Sequence, residues 1–350
     1  MQIGLWGRED QYKNNKIFFY ENDFTGSKNN KKFILLKQFL ETKNIFLNTL
    51  DTFDNISEIN VLIFLDYPLA PSKKSLQAFN SKIPKILITD ENKFVRPAVW
   101  MKSNFEKFNY VMTIDDDFID NIKFFEYGVS DHEKDLDLKF NIPNVDFSKK
   151  KLVTWITWNK SSFNKNINFS VRKEIIKWYE KNYPNDLDLY GPNWDELSFP
   201  YDSYFLKYLN YPRFKYLRKF FGKKYKTWKG HINDKKNIIK NYKFCFAFEN
   251  TCILNGYITE KIFDVFYSGS VPIYFGAKNI EKHIPKNCYI DFRNFENLEK
   301  LHLFLRHFKE DEYLAIKNNI YKFLLSQKSY KYTSKYFCEK IFQLIKLCIK

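Results

Sequence analysis

The stretch YKFCFAFENTCILNGYITEKIFDVFYSGSVPIYFGA, Tyr242–Ala277, decides how the chain is read. Its first seven residues, Tyr242–Phe248, form an apolar, aromatic-rich run that is short for a helix and reads as a buried strand. A polar segment follows, from Glu249 to Gly256. Thr259 then stands where a helix N-cap belongs, and Ile262, Phe263, Val265 and Phe266 mark the apolar face of a helix. The glycine-containing SGS ends that helix, and VPIYFG is a second strand. Strand, loop, helix and strand in this order make the repeating unit of a parallel sheet, because parallel neighbours need a crossover connection.

Ligands of open parallel sheets bind beyond the carboxyl ends of the strands, and the loop after Phe248 lies at such an end. The helix N-terminus behind it offers free N–H groups and partial positive charge, which attract anions. Lys261 falls in the first turn, where the helix dipole disfavours a cation, and a phosphate between them would account for it. Glu260 can accept hydrogen bonds from sugar or ribose hydroxyls. Tyr257 can pack on a ring or donate to phosphate, Asn250 offers donor and acceptor, and Glu249 adds a second carboxylate. Each residue alone has an ordinary explanation, as a solvated charge or a packed ring. Together, at a strand's carboxyl end, they point to a nucleotide or sugar-nucleotide site without naming a reaction.

Outward from this stretch the pattern repeats. Short apolar runs at Gln2–Gly7, Ile59–Pro68, Lys85–Asn92 and Tyr110–Asp115 read as strands, with KKFILLKQFLE as an amphipathic helix among them. The polar segment 131–150 reads as a linker. The pattern restarts with LVTWITW as a strand, FSVRKEIIKWYEKNY as a helix capped by Ser170, and LDLYG as a strand. The aromatic and basic segment 193–230 reads as an insertion with short helices. The organisation expected is an α/β protein with one domain over 1–150 and a second over 151–330. A basic amphipathic helix over 331–350 closes the chain, either packed on the first domain or laid on an anionic membrane surface.

Composition narrows the classes. The 350 residues are 44% hydrophobic and 19% aromatic, enough for a large core and too apolar for a disordered chain. The net charge of +16 suits an anionic ligand or an acidic membrane surface. The lysines are scattered, without zinc-finger spacing or an aromatic RNA-binding signature, so nucleic acid is not expected as a partner. The five cysteines are widely spaced and form no CxxC, as expected of reduced thiols in a cytoplasmic protein. The start MQIGLWGRED lacks a signal-peptide pattern, and no apolar run reaches the about 18 residues of a membrane helix. The asparagines of the N-x-S sequons, Asn55, Asn159 and Asn168, are expected as chance matches in an Asn-rich chain. No histidine pair has metal-ligand spacing, and His132 and His231 read as solvated. IDDDF resembles an acidic metal-binding motif, but an acidic turn at a strand end is the simpler reading, and no metal site is expected.

The stretch Tyr242–Ala277 also resembles the signature of the α-1,3/4-fucosyltransferases, glycosyltransferase family 10, in its bacterial type. The signature runs YKF-x-L-x-FEN-S, a short loop, Y-V-T-EK, an apolar helix and a G-x-x-P-V/I-Y-x-G strand. The resemblance implies a GT-B architecture, two Rossmann-like domains facing a central cleft, with GDP-β-L-fucose on the C-terminal domain. It implies inverting transfer of fucose to a glycan hydroxyl, most simply α-1,3 to GlcNAc of an N-acetyllactosamine-like unit, as in Lewis antigens on lipopolysaccharide or lipid-linked glycans. Residue by residue it places Asn250, Tyr257, Glu260 and Lys261 at the donor. Arg172, opening the helix after the second domain's first strand, aligns with a diphosphate-binding arginine. Glu91 of LITDEN takes the place of the glutamate in T-G-E-N, the general base, and Asp90 replaces the glycine, which makes it a second candidate. No cofactor is required, although Mn²⁺ or Mg²⁺ stimulates some members. The loop from Asn250 to Tyr257 and the segment 193–230 are longer than in the family, which leaves the acceptor open. The same fold with another GDP-sugar, linkage or acceptor remains an alternative, as does a non-catalytic binding module. The location expected is cytoplasmic, with peripheral contact at the inner membrane face.

Overall fold

A computed structural model of the chain describes residues 1–7, 12–20, 30–68, 72–128 and 146–350. It divides into two compact units. Unit 1 comprises Met1–Lys139, Asn255–Glu260 and Gln327–Lys350, and unit 2 comprises Phe140–Leu254 and Lys261–Ser326. The chain thus returns to unit 1 twice after leaving it.

Unit 1 begins with β1 (Gln2–Gly7), α1 (Lys31–Glu41), β2 (Phe46–Thr49) and β3 (Val61–Leu65). It continues with α2 (Lys73–Asn80), β4 (Lys85–Thr89), α3 (Lys102–Phe105), β5 (Tyr110–Thr113) and β6 (Phe124–Glu126). The six strands pair in parallel in the order β2-β1-β3-β4-β5-β6. The central strands VLIFL and KILIT are buried almost throughout, as parallel strands covered on both faces must be. Phe64 packs edge-on against Phe79 and Phe108, with ring centroids 5.9 and 5.6 Å away, which ties β3 to α2 and to the approach to β5.

Unit 2 holds β7 (Lys151–Ile156), α4 (Phe169–Asn182), β8 (Leu187–Tyr190), α5 (Lys215–Phe220), α6 (Lys235–Ile239) and β9 (Tyr242–Phe248). There follow α7 (Glu260–Tyr267), β10 (Val271–Phe275), α8 (Ile280–His283), β11 (Ile290–Asp291), α9 (Leu298–Arg306) and α10 (Glu310–Leu324). The five strands pair in parallel in the order β11-β10-β9-β7-β8. Trp155 meets Phe246 and Phe248 at 4.6 and 4.9 Å in the centre of its core. In chain order this sheet is 2-1-3-4-5, so its topological switch point lies between β7 and β9. Crossovers leave on opposite faces there and open a crevice at the carboxyl ends.

The last helix, α11 (Ser334–Cys348), belongs to unit 1. Its apolar face lies on α1, with Phe337 edge-on to Phe33 at 5.7 Å and Phe342 edge-on to Phe39 at 5.9 Å. Of the two dispositions considered for it, packing is the one observed. Among the described residues no helix is long and apolar enough to cross a membrane. None of the five cysteines is joined in a disulfide.

Two parallel α/β sheets are as expected, and the strands expected near Gln2, Val61, Lys85, Tyr110, Leu152, Leu187, Tyr242 and Val271 are all present. Strands β2, β6 and β11 were not foreseen. They are 4, 3 and 2 residues long and lie at sheet edges, where a strand needs little apolar length. Ser170 does not cap α4. The helix starts one residue earlier, and Asn168 holds the cap position with its side chain turned to another partner. Most of the expected linker, and His132, lie outside the described residues. Segment 193–230 does carry short helices: 3-10 turns at Leu206–Asn210 and Pro212–Phe214, then α5.

Candidate functional site

Two clusters gather the residues singled out in the sequence, one in each unit. In unit 2 the cluster sits at the switch point. Strand β9 runs straight into Glu249, which is fully buried, and its backbone N–H donates to Phe275 O at 2.8 Å, continuing the pairing with β10. A buried carboxylate requires a charged partner. Lys261 Nζ supplies it, 3.1 Å from Glu249 Oε2. The lysine in the first turn of α7 is therefore held by a carboxylate of its own chain, an explanation that the helix dipole alone did not offer. Gly276 makes room for this pair, since a Cβ there would stand 2.5 Å from Glu249 Cγ.

Arg172 comes from the first turn of α4, which follows β7, and reaches across the switch point. Its Nη2 donates to Phe248 O (3.0 Å), Glu249 O (2.9 Å) and Asn250 Oδ1 (3.0 Å), and its Nη1 to Thr157 Oγ1 (3.3 Å). It is 6% exposed. Asn168 Nδ2 also donates to Glu249 O, at 3.2 Å, and Asn168 N–H donates to Asn250 O at 2.8 Å. Arg172 is thus a clamp on the end of β9 that orients Asn250, rather than a solvated helix residue. The bonding leaves Asn250 and Lys261 as the partly exposed members of the cluster.

The unit 1 cluster is built on the end of β4. Asp90 is exposed, and Glu91 is partly exposed. Trp100 Nε1 donates to Glu91 O at 3.1 Å and fixes its backbone. Asn92 is buried, and its Oδ1 accepts from Phe94 and Val95 N–H at 3.0 and 3.1 Å, closing the turn. Among the described residues Asn92 Nδ2 has no hydrogen-bond partner. Residues 255–260 join this unit. Asn255 Nδ2 donates to Asp117 Oδ1 at 2.9 Å, and Asn255 O accepts from Asp116 N–H at 3.3 Å. Gly256 has φ 71°, the left-handed region that favours glycine, and lies close to Asp116 and to Ile114 O. Tyr257, buried to 1% exposure, then donates its hydroxyl to Glu91 Oε1 at 2.9 Å. Glu260 is partly exposed and opens α7.

The acidic run Asp115–Asp117 is part of this scaffold. Asp115 Oδ1 accepts from Asp117 N–H at 3.1 Å, and Oδ2 is 3.4 Å from Lys93 Nζ. Burial pushes the Asp115 carboxyl above its usual range in spite of Lys93. The run anchors the loop 255–260 through Asp116 and Asp117. Thr157 and Asn168 were not anticipated as members of the unit 2 cluster, and Trp100 was not anticipated beside Glu91. A hydroxyl or amide in a loop gives no sign in the sequence of which strand end it will meet.

Several known proteins resemble this chain. Residues 215–349 match the family described as glycosyltransferase family 10 (fucosyltransferase) C-term. An α-(1,4)-fucosyltransferase of Arabidopsis thaliana is 37% identical over 84 residues, 24% of this chain and 20% of that protein. An α-(1,3)-fucosyltransferase of Helicobacter pylori is 33% identical over 70 residues, 20% of this chain and 14% of that protein. The matched stretches thus span a fifth or less of these relatives. Among solved structures, an α1,3-fucosyltransferase superposes with a TM-score of 0.55 at 17% identity, covering 98% of this chain and 89% of that one. An α-glucosyltransferase solved with UDP and a 13-mer DNA gives a TM-score of 0.55 at 9% identity and covers 99% of both chains. These likenesses show the fold, two parallel α/β domains of the GT-B class. Residues 215–349, about two fifths of the chain, thus resemble the C-terminal part of glycosyltransferase family 10, the fucosyltransferases.

Proposed function

We propose that the chain transfers L-fucose from GDP-β-L-fucose to a glycan hydroxyl with inversion, α-1,3 to GlcNAc of an N-acetyllactosamine-like acceptor. The observation that carries this reading is the hydrogen bond from Tyr257 to Glu91, at 2.9 Å. The two residues were selected from segments 166 positions apart, one as part of the donor signature and one as the base. In this reading Glu91 takes the proton of the acceptor hydroxyl as its oxygen attacks C1 of fucose. The bond from C1 to the β-phosphate oxygen breaks, and its electron pair leaves with GDP. The ammonium of Lys261 stabilises the charge that develops on the diphosphate. Tyr257 is a positioning residue that orients the Glu91 carboxyl through its hydroxyl. Arg172 positions Asn250 and the end of β9. Glu260 accepts from a hydroxyl of the donor, and Asp90 stands as the second carboxylate beside the base.

Calorimetric titration with GDP-fucose, GDP-mannose and UDP-galactose, followed by turnover on N-acetyllactosamine, tests the proposal. Selective binding of GDP-fucose with transfer is expected. Chelation by EDTA leaves turnover in place, and added Mn²⁺ or Mg²⁺ at most stimulates it. Preference for another nucleotide sugar would overturn the donor. Binding of GDP-fucose without transfer to N-acetyllactosamine would overturn the acceptor and leave the donor standing.

A further inference from the structure

Segment 203–226, SYFLKYLNYPRFKYLRKFFGKKYK, contains eight lysines and arginines, nine aromatic residues and no acidic residue. Seven of these aromatic side chains are exposed, while Tyr225 packs against the core of unit 2. Tyr216 is 87% exposed, Phe220 82% and Phe205 77%, with Tyr204 and Phe221 close behind. Scattered exposed apolar residues are ordinary, but a contiguous run of large ones marks an interaction surface. Lys215, Lys223, Lys224 and Lys226 lie exposed among them.

The segment is built to present this face. Arg218, buried in the middle of α5, donates Nε and Nη2 to Glu196 Oε2 at 3.0 and 2.7 Å. Its Nη1 donates to Leu209 O and Tyr211 O, both at 2.8 Å. Arg218 O in turn accepts from Leu197 N–H at 2.9 Å. This buried clasp sets the rotation of the short helix. With Arg218 facing inward, Tyr216 and Phe220, four residues apart, share the outward face. The protein therefore uses a buried ion pair to hold aromatic rings in solvent, and that arrangement contributes nothing to its own core.

The geometry points to docking of this face on an anionic phospholipid bilayer. Lysines and arginines attract acidic headgroups, and phenylalanine and tyrosine rings settle at the boundary between headgroups and acyl chains. Uniform positive charge with no acidic residue matches that surface. A glycan platform would set carboxylates or free amides beside its rings to bind hydroxyls. Segment 203–226 has no carboxylate, and its single amide, Asn210, is committed to both backbone groups of Phe199, at 3.1 and 2.9 Å. The apolar face of α11, the other basic amphipathic element, is already spent on α1. This inference stands apart from the identity of the donor and acceptor.

Co-sedimentation of the full chain with vesicles tests it, comparing phosphatidylcholine alone with phosphatidylcholine mixed with phosphatidylglycerol. The chain is expected to partition to the mixed vesicles only, and less so as salt is raised. The double variant Tyr216→Ala/Phe220→Ala, altered only at solvent-facing side chains, keeps its melting temperature and loses about tenfold or more in partition. Lys346→Glu, on the exposed side of α11, leaves partition unchanged. No partition to the mixed vesicles, or equal partition of double variant and wild type, would overturn the proposal. So would loss of partition in Lys346→Glu, which would return the contact to α11. If instead the wild type bound a single-stranded oligonucleotide and no vesicles, and the double variant lost that binding, the face would belong to nucleic acid.

Discussion

Replacing Tyr257 with phenylalanine removes one hydroxyl and keeps the buried ring. The lost interaction is a 2.9 Å hydrogen bond from a neutral donor to a carboxylate. Such bonds to charged groups contribute about 1.5–3 kcal/mol, and the partial exposure of Glu91 puts this one near the lower end. The ionised carboxylate accepts this bond more strongly than the neutral acid does, and about 1.5 kcal/mol bounds the effect on rate at roughly tenfold. Removal of the bond favours the protonated carboxyl, so the base is lost at a higher pH than before. The acid limb of the pH profile of kcat/KM, which reports the proposed base of the free enzyme, is expected to move up. Well above that limb the rate falls only severalfold, through looser orientation of Glu91. GDP affinity, measured by calorimetry, stays as in the wild type. In a Glu91→Gln background, where transfer is expected to be lost, the second change should have no further effect. An unmoved acid limb together with weakened GDP binding would refute the reasoning and return Tyr257 to the donor.

Other changes separate charge from packing. Lys261→Ala leaves Glu249 buried without its cation and is expected to cost about 3 kcal/mol of stability as well as GDP affinity. Glu249→Gln with Lys261→Met should recover the stability, read by chemical denaturation, but not the GDP binding. A double variant that bound GDP normally would remove Lys261 from the phosphate. Arg172→Lys keeps the charge but cannot span three acceptors, so a lower melting temperature and a loss of about 2 kcal/mol or more are expected. An unchanged melting temperature would show that the strand end needs no clamp. Asp115→Asn retains the acceptor for Asp117 N–H and removes a buried charge. Because burial raises this carboxyl in the folded protein, the wild type loses stability as pH rises from the ordinary carboxylate range through the raised value. The variant should therefore melt higher at neutral pH, with the difference vanishing in acid. A variant melting lower at neutral pH would mean that the Lys93 pair outweighs the burial.

Much of the fold was legible because the strands that matter are central. Val61–Leu65, Lys85–Thr89 and Tyr242–Phe248 are buried on both faces, and such strands appear in sequence as unbroken apolar runs. The edge strands β2, β6 and β11 carry no such mark, since one side of each needs no partner. Helix α4 was legible from its apolar spacing, but its cap was not. Asn168 gave no local sign that its side chain would serve Glu249 O, 81 residues away.

The sequence by itself determined the alternation of strand and helix, and it placed Glu249, Asn250 and Lys261 at a strand's carboxyl end. Local periodicity and the signature Tyr242–Ala277 suffice for that, because they depend on residues near one another in the chain. Only the tertiary structure decided what these groups do to one another. Lys261 answers a buried Glu249, Arg172 clamps the end of β9, and Tyr257 holds Glu91. It also turned the apolar side of α11 onto α1 and left the rings of segment 203–226 in solvent. Both elements are basic and apolar in sequence. Which of the two buries its apolar side depends on what the rest of the chain brings against it, and no pattern local to either element encodes that.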